Sequence, residues 1–178
     1  MYVGNFAGAI GMAALVFVAR QHEFGGGTVG EQALAIGMAK TSLGFGQPVA
    51  LGVLCNALVC LAVWVSYSAR TVTDKILAVV PPIAAFVAAG FEHSVANMYF
   101  IPSALFVKRD LGAAAAVDTS ALTWDAFLLD NLLPVTLGNI VGGTLMVGAV
   151  YWFVYLRDPS RLDRLSLPPR GSARTGRR

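Results

Sequence analysis

Charge is scarce in this chain. Of its 178 residues only 13% are Asp, Glu, Lys or Arg, whereas 56% are hydrophobic, and the mean hydropathy is +0.66. Soluble domains carry about 25% charged residues, so this composition excludes an ordinary water-soluble domain. Cysteine is nearly absent too. Cys55 and Cys60 lie five apart inside an apolar run, form neither a disulfide framework nor a C-x-x-C redox pair, and read as small packing residues. There are two histidines: His22 falls in a loop and His93 has no second histidine at helical spacing, so neither a metal nor a cofactor site is expected. No basic residue precedes the first apolar run, so residues 1–19 read as a span and not as a signal peptide.

What the chain does have is four long stretches almost free of charge: 1–19, 41–69, 76–107 and 131–156. Each approaches or exceeds the roughly 20 residues that a helix needs to cross about 30 Å of hydrocarbon. The runs are continuous and do not alternate, which excludes a membrane β-barrel. The reading is an all-α membrane protein with spans at about 4–19, 45–68, 76–107 and 131–156. Together they make one transmembrane domain, 1–157, followed by a basic tail, 158–178.

The placement of basic residues orients it. Arg157, Arg161, Arg164, Arg170, Arg174, Arg177 and Arg178 follow the last span, and Arg70 and Lys75 lie on the same side, between spans two and three. Arg20, Lys40, Lys108 and Arg109 fall on the other side. The positive-inside rule puts the tail in the cytoplasm and the chain, multi-pass, in the cell inner membrane. The tail arginines have no interleaved aromatics, so they read as a solvated, disordered, orientation-setting segment; a nucleic-acid partner is not expected.

The third stretch holds "AAGFEHSVANM", residues 88–98, with Glu92 and His93 side by side in apolar surroundings. As one helix, 76–107 would run about 48 Å, so it is expected to be broken near 90–94. Gly90 can end a first half-helix and Ser94 can cap a second. Pro81, Pro82 and Pro102 fall towards the outer ends, where they do least harm. Irregular backbone at membrane depth must face protein or a watery path, so Phe91, Glu92 and His93 are expected to line an interior route. The second half-helix would present free N–H groups and a positive pole next to His93, which suits an anion. Glu92 must be protonated or hydrogen-bonded, with Asn56 and Asn139 as available amide donors. Ionisable residues inside a span are functional by default, which favours His93 as a working group and Glu92 as a holder of the loop.

"GNFAGA" at 4–9 recurs as "GNIVGG" at 138–143, each placing small residues four apart for close helix contact. Their spans are three apart and run in opposite directions, which is inverted-repeat architecture. If spans two to four form one three-span repeat, span one closes an earlier repeat, and two spans are expected to be missing from these residues.

"GNFAGA", "NALVCLAVWVSYSARTVTDK", "FVAAGFEHSVANMYFIP" and "DNLLPVTLGNIVGG" resemble the formate/nitrite transporter family, and most of all its formate channels, over residues 1–157. The resemblance implies an aquaporin-like inverted-repeat bundle of six spans, a homopentamer with a pore in each protomer, and small monovalent anions, formate or nitrite, as substrates. Only spans three to six have counterparts here. The family's second span, also broken and facing the histidine with a threonine, has none, so any pore would lack one wall.

By that resemblance His93 matches the central pore histidine and Glu92 the acidic residue before it. Asn56 and Asn139 match pore asparagines, Phe86 a constriction phenylalanine and Lys40 a lysine of the outer vestibule. The implied mechanism is proton-assisted passage: His93 gives a proton or hydrogen bond to the anion, Ser94 and the following N–H groups add positive potential, and Lys40 concentrates anions at the mouth. A nitrite or hydrosulfide channel would look the same from these residues, and a non-functional truncated fragment is the other reading. A membrane enzyme with Glu92 as base and His93 as acid is disfavoured, because adjacent side chains diverge and no G-x-S-x-G nucleophile motif accompanies them.

Overall fold

Apolar residues that cannot face water form helices here because only a helix satisfies its own backbone in hydrocarbon. The computed structural model describes residues 1–111 and 118–157, and among them there are helices and no strand. They are α1 (Tyr2–Val18), a 3-10 turn (Gln21–Glu23), α2 (Thr28–Thr41), α3 (Gly46–Ser66), α4 (Val72–Ala88), α5 (Ser94–Leu111) and a continuous helix α6 (Ala126–Leu156) in which α-helical and wider π turns alternate. Helices α3 and α6 are long and apolar enough to cross a membrane alone, with 21 and 31 residues and mean hydropathies of 2.3 and 1.6. The basic tail at 158–178 lies outside the described residues.

Side-chain contacts fix the directions. Tyr2 Oη and Thr136 Oγ1 share a hydrogen bond of 2.6 Å, Phe6 stacks on Phe127 and Phe17 meets Phe106. Helix α1 therefore runs antiparallel to α6, as the repeat predicts for spans three apart. The two glycine motifs are used differently. Gly138 and Gly142 press directly onto the backbone of α3 at Val49 and Val53, while Gly4 and Gly8 face open space.

The core gathers around α5. Met98, Ile101, Ala104, Leu105 and Val107 pack with Leu34 of α2 and with Leu122, Phe127 and Leu132 at the entrance to α6. By contrast, none of the residues of α4 is buried.

Three features differ from the sequence reading. The first is α2, in a segment that reads as a loop. Its buried residues Gly30, Leu34, Gly37 and Thr41 follow helical spacing, i, i+4, i+7, i+11. A Cβ on Gly30 would meet Leu111 and one on Gly37 would meet Ala104, so the bare glycines let α2 lie against α5. Its start is beside the end of α5 and its end, at Lys40, is beside the start of α5. It thus runs antiparallel to α5 and reaches the level of the break. Second, Pro81, Pro82 and Pro102 stand inside α4 and α5 and not near their ends, because α4 starts at Val72 and α5 continues to Leu111. Third, the last helix begins at Ala126, five residues before the expected span.

Candidate functional site

The break falls where Gly90 allows it. Gly90 has φ +67°, its N–H donates to the Val87 carbonyl at 3.1 Å, and the Phe91 N–H reaches back to the Phe86 carbonyl at 3.0 Å. These two bonds form a Schellman closure. A Cβ at Gly90 would meet nothing within 4 Å, so a side chain there is opposed by backbone strain alone. Gly90→Ala is expected to lower stability by about 1–2 kcal/mol, read as a shift of the unfolding midpoint in detergent. No shift would mean that the left-handed turn is not retained.

The second half-helix is capped by His93 and not by Ser94. His93 Nδ1 accepts the Ala96 N–H at 3.2 Å, and the His93 carbonyl takes the Asn97 N–H at 2.9 Å. The imidazole does for the third amide of the helix what a serine oxygen does elsewhere. Because the donor is a backbone amide, Nδ1 must be unprotonated, which leaves the ring proton on Nε2. Ser94 is the first helical residue, buried, and its N–H donates to Asn139 Oδ1 at 3.0 Å. Two of the three first-turn amides are therefore taken, and the open cradle of free N–H groups expected from the sequence is not there. The Phe86 ring stacks over His93 with 5.9 Å between centroids and an interplanar angle of 22°.

Glu92 is 3% exposed and accepts three hydrogen bonds. Lys40 Nζ reaches Oε1 at 2.8 Å, while Asn97 and Asn131 donate their amides to Oε2, the latter at 3.2 Å. Asn131 also donates to the Lys40 carbonyl at 2.9 Å and accepts from Asn97 at 2.8 Å. This answers how a carboxylate survives in the interior: it is ion-paired and fully hydrogen-bonded. Lys40, with its side chain only 17% exposed, is spent on that pair and does not stand free as the vestibule charge inferred from the sequence.

The amide partners of Glu92 also differ from those expected. Asn139 donates to the carbonyls of Gly52 and Glu92, both at 3.0 Å, while its own oxygen holds Ser94. Asn56 donates to the Asn139 carbonyl. These two asparagines clasp the irregular backbone of the break and leave the carboxylate to Asn97 and Asn131. Both of the latter were missed, although a signal was present, since an amide inside an apolar span demands a partner.

A broken span that joins a capping histidine to an ion-paired glutamate, with glycine-packed helices around it, can be set beside known proteins. The family model for the formate/nitrite transporter matches residues 1–153. The chain belongs to the formate/nitrite transporter family.

Among its relatives in this family, Formate channel FocA of Escherichia coli (strain K12) is 42% identical over 166 residues, covering 89% of this chain and 58% of that protein. Formate channel BtFdhC of Bacillus thuringiensis is 35% identical over 161 residues, 89% of this chain and 55% of that one. The solved structure of a pentameric formate channel with formate bound superposes with a TM-score of 0.78 at 42% identity, over 88% of this chain and 64% of that chain. The chain thus spans a little over half the length of the curated relatives it matches. Both of these curated relatives are named as formate channels.

Proposed function

We propose that this chain supplies the central anion site of a membrane channel for small monovalent anions, with formate as the foremost substrate. We read 1–157 as a single channel domain, in a multi-pass protein of the inner membrane with its C-terminus in the cytoplasm, assembling as a homopentamer like the formate-bound relative. The observation that supports this most is the charge balance at the break. Lys40 and Glu92 cancel, so His93 is the ionisable group at the break left without an opposite charge.

A bare anion in an apolar constriction is too costly to pass unaided. With Nδ1 engaged by Ala96, neutral His93 can offer its Nε2–H to a carboxylate oxygen, and Phe86 stacked on the ring limits its orientation. An imidazolium would attract the anion more strongly, but its Nδ1–H could not accept from Ala96, so protonation also undoes the cap. Glu92, Asn97 and Asn131 hold the loop; Asn56, Asn139 and Ser94 clamp its backbone; Lys40 pairs with Glu92. Nitrite and hydrosulfide would meet the same groups, and the relative fluxes of the three distinguish them.

The test is anion flux into proteoliposomes as a function of pH. His93→Asn keeps a side-chain acceptor at the cap but cannot titrate, whereas His93→Phe removes both. Both variants are expected to lose the pH dependence of formate flux, and only His93→Phe to lose about 1 kcal/mol of capping stability. An unchanged pH profile in His93→Asn would remove His93 from the mechanism.

A further inference from the structure

Away from the break, three potential ligands meet at the end of the bundle where α1 stops and α5 ends. His22 and Glu23 come from the 3-10 turn and Asp110 from the last turn of α5. One ligand atom from each lies within 4.8 Å of the others, and His22 Nε2 is 2.9 Å from Asp110 Oδ2. We propose that His22, Glu23 and Asp110 bind a borderline divalent transition metal of the zinc class, stapling the turn before α2 to the end of α5. The sequence did not suggest it, because Asp110 joins the other two only through the fold.

Four observations support the assignment. First, the imidazole is held in place: its side chain is 5% exposed and it stacks on Phe17 at 5.0 Å and 14°, so Nε2 is aimed before any ion arrives. Gly30 contributes as well, since a Cβ there would stand 3.0 Å from the His22 carbonyl. Second, the two carboxylates are about half exposed, which leaves an entry path and open coordination positions for water.

Third, a His–Asp pair alone does not account for the Glu23 carboxylate. Two carboxylates so close repel each other, and the Arg20 contact to Glu23, 3.3 Å between largely exposed groups, is worth little and can yield. A dication matches the two negative charges, and an imidazole with two carboxylates suits zinc better than the all-oxygen shells of calcium or magnesium.

Fourth, His22 Nδ1 is buried and has no hydrogen-bond partner among the described residues, and neither has Ser103 Oγ. Both His22 and Ser103 line one cavity of about 370 Å³ between α1, α2 and α5. A ligating imidazole needs an acceptor or water for its second nitrogen, and this cavity has room for it. Metal at Nε2 places the remaining proton on Nδ1, where it faces that cavity.

The test uses protein purified from membranes in mild detergent, stripped with a chelator and titrated with zinc sulfate. The wild type is expected to bind one Zn²⁺ per chain and to gain thermal stability on binding. Asp110→Asn and Glu23→Gln, both changes on half-exposed side chains that leave the fold intact, should each weaken binding at least tenfold. His22→Gln should abolish the ligand-field absorption that Co²⁺ gives in the same site. Equal zinc affinity in wild type, Glu23→Gln and Asp110→Asn, or equal occupancy by Mg²⁺ and Zn²⁺, would overturn the assignment.

Discussion

Replacing Lys40 by alanine is expected to destabilise the folded protein by about 3–5 kcal/mol, nearly independently of salt. The reason is what the substitution leaves behind. Glu92 is 3% exposed, and without the ammonium group its charge would rest on two asparagine amides alone. Exposed charge pairs are screened by salt, whereas a buried pair is screened much less. Adding Glu92→Gln to Lys40→Ala should recover most of the loss, because a neutral amide no longer needs the cation. The coupling between the two positions is measured by a double-mutant cycle on unfolding in detergent. A loss below about 1 kcal/mol that vanishes at high salt would restore Lys40 to the role of a vestibule charge.

The second large effect is expected at the crossing of α3 and α6. A Cβ on Gly142 would sit 2.2 Å from the Val53 carbonyl oxygen and one on Gly138 equally close to that of Val49. Both obstacles are backbone, so neither can rotate away, and the two helices must part. Overpacking of this kind typically costs about 1–3 kcal/mol for one added group. Gly138→Val and Gly142→Val together should exceed that range, because parting the helices also pulls Asn139 from the Gly52 and Glu92 carbonyls. The expected result is loss of the folded protein, read as aggregation or an absent unfolding transition in detergent. Gly44→Ala, where a Cβ meets nothing within 4 Å, serves as the control and should be nearly neutral. Wild-type stability in the double variant would mean that the helices do not touch at these glycines.

How far the sequence reveals this arrangement depends on what kind of signal each part leaves. The break was legible because an apolar run too long for the bilayer contains Gly90 next to two ionisable residues. The opposite directions of α1 and α6 were legible from the repeated Gly-Asn motif. Helix α2 was not, for a physical reason: at 14 residues it is too short to register as a span, and glycines occupy two of its buried positions where a hydrophobic pattern would call for large side chains. The cap lies one residue before the serine that the sequence points to, because an imidazole takes the place of a serine oxygen there. The amides that reach Glu92 are Asn97 and Asn131 and not the two available ones that the sequence points to, since nothing in one dimension says which of several buried amides will reach a given carboxylate. Asn131 and Glu92 are 39 residues apart in the chain.

Helix α2 also sets an order on how the protein is made. Segments long and apolar enough leave the translocation machinery sideways into lipid as they emerge, but α2 carries Glu31 and Lys40 in a 14-residue stretch and has no such option. Its buried face matches α5, whose last residue is synthesised roughly 4–14 s later at ordinary ribosome speeds. Until then α2 must wait at the water boundary, and Lys40 cannot meet Glu92. Formation of the Lys40–Glu92 pair is therefore a late step of biogenesis, and stalled nascent chains that end before residue 92 should still expose position 40 to water-soluble amine reagents.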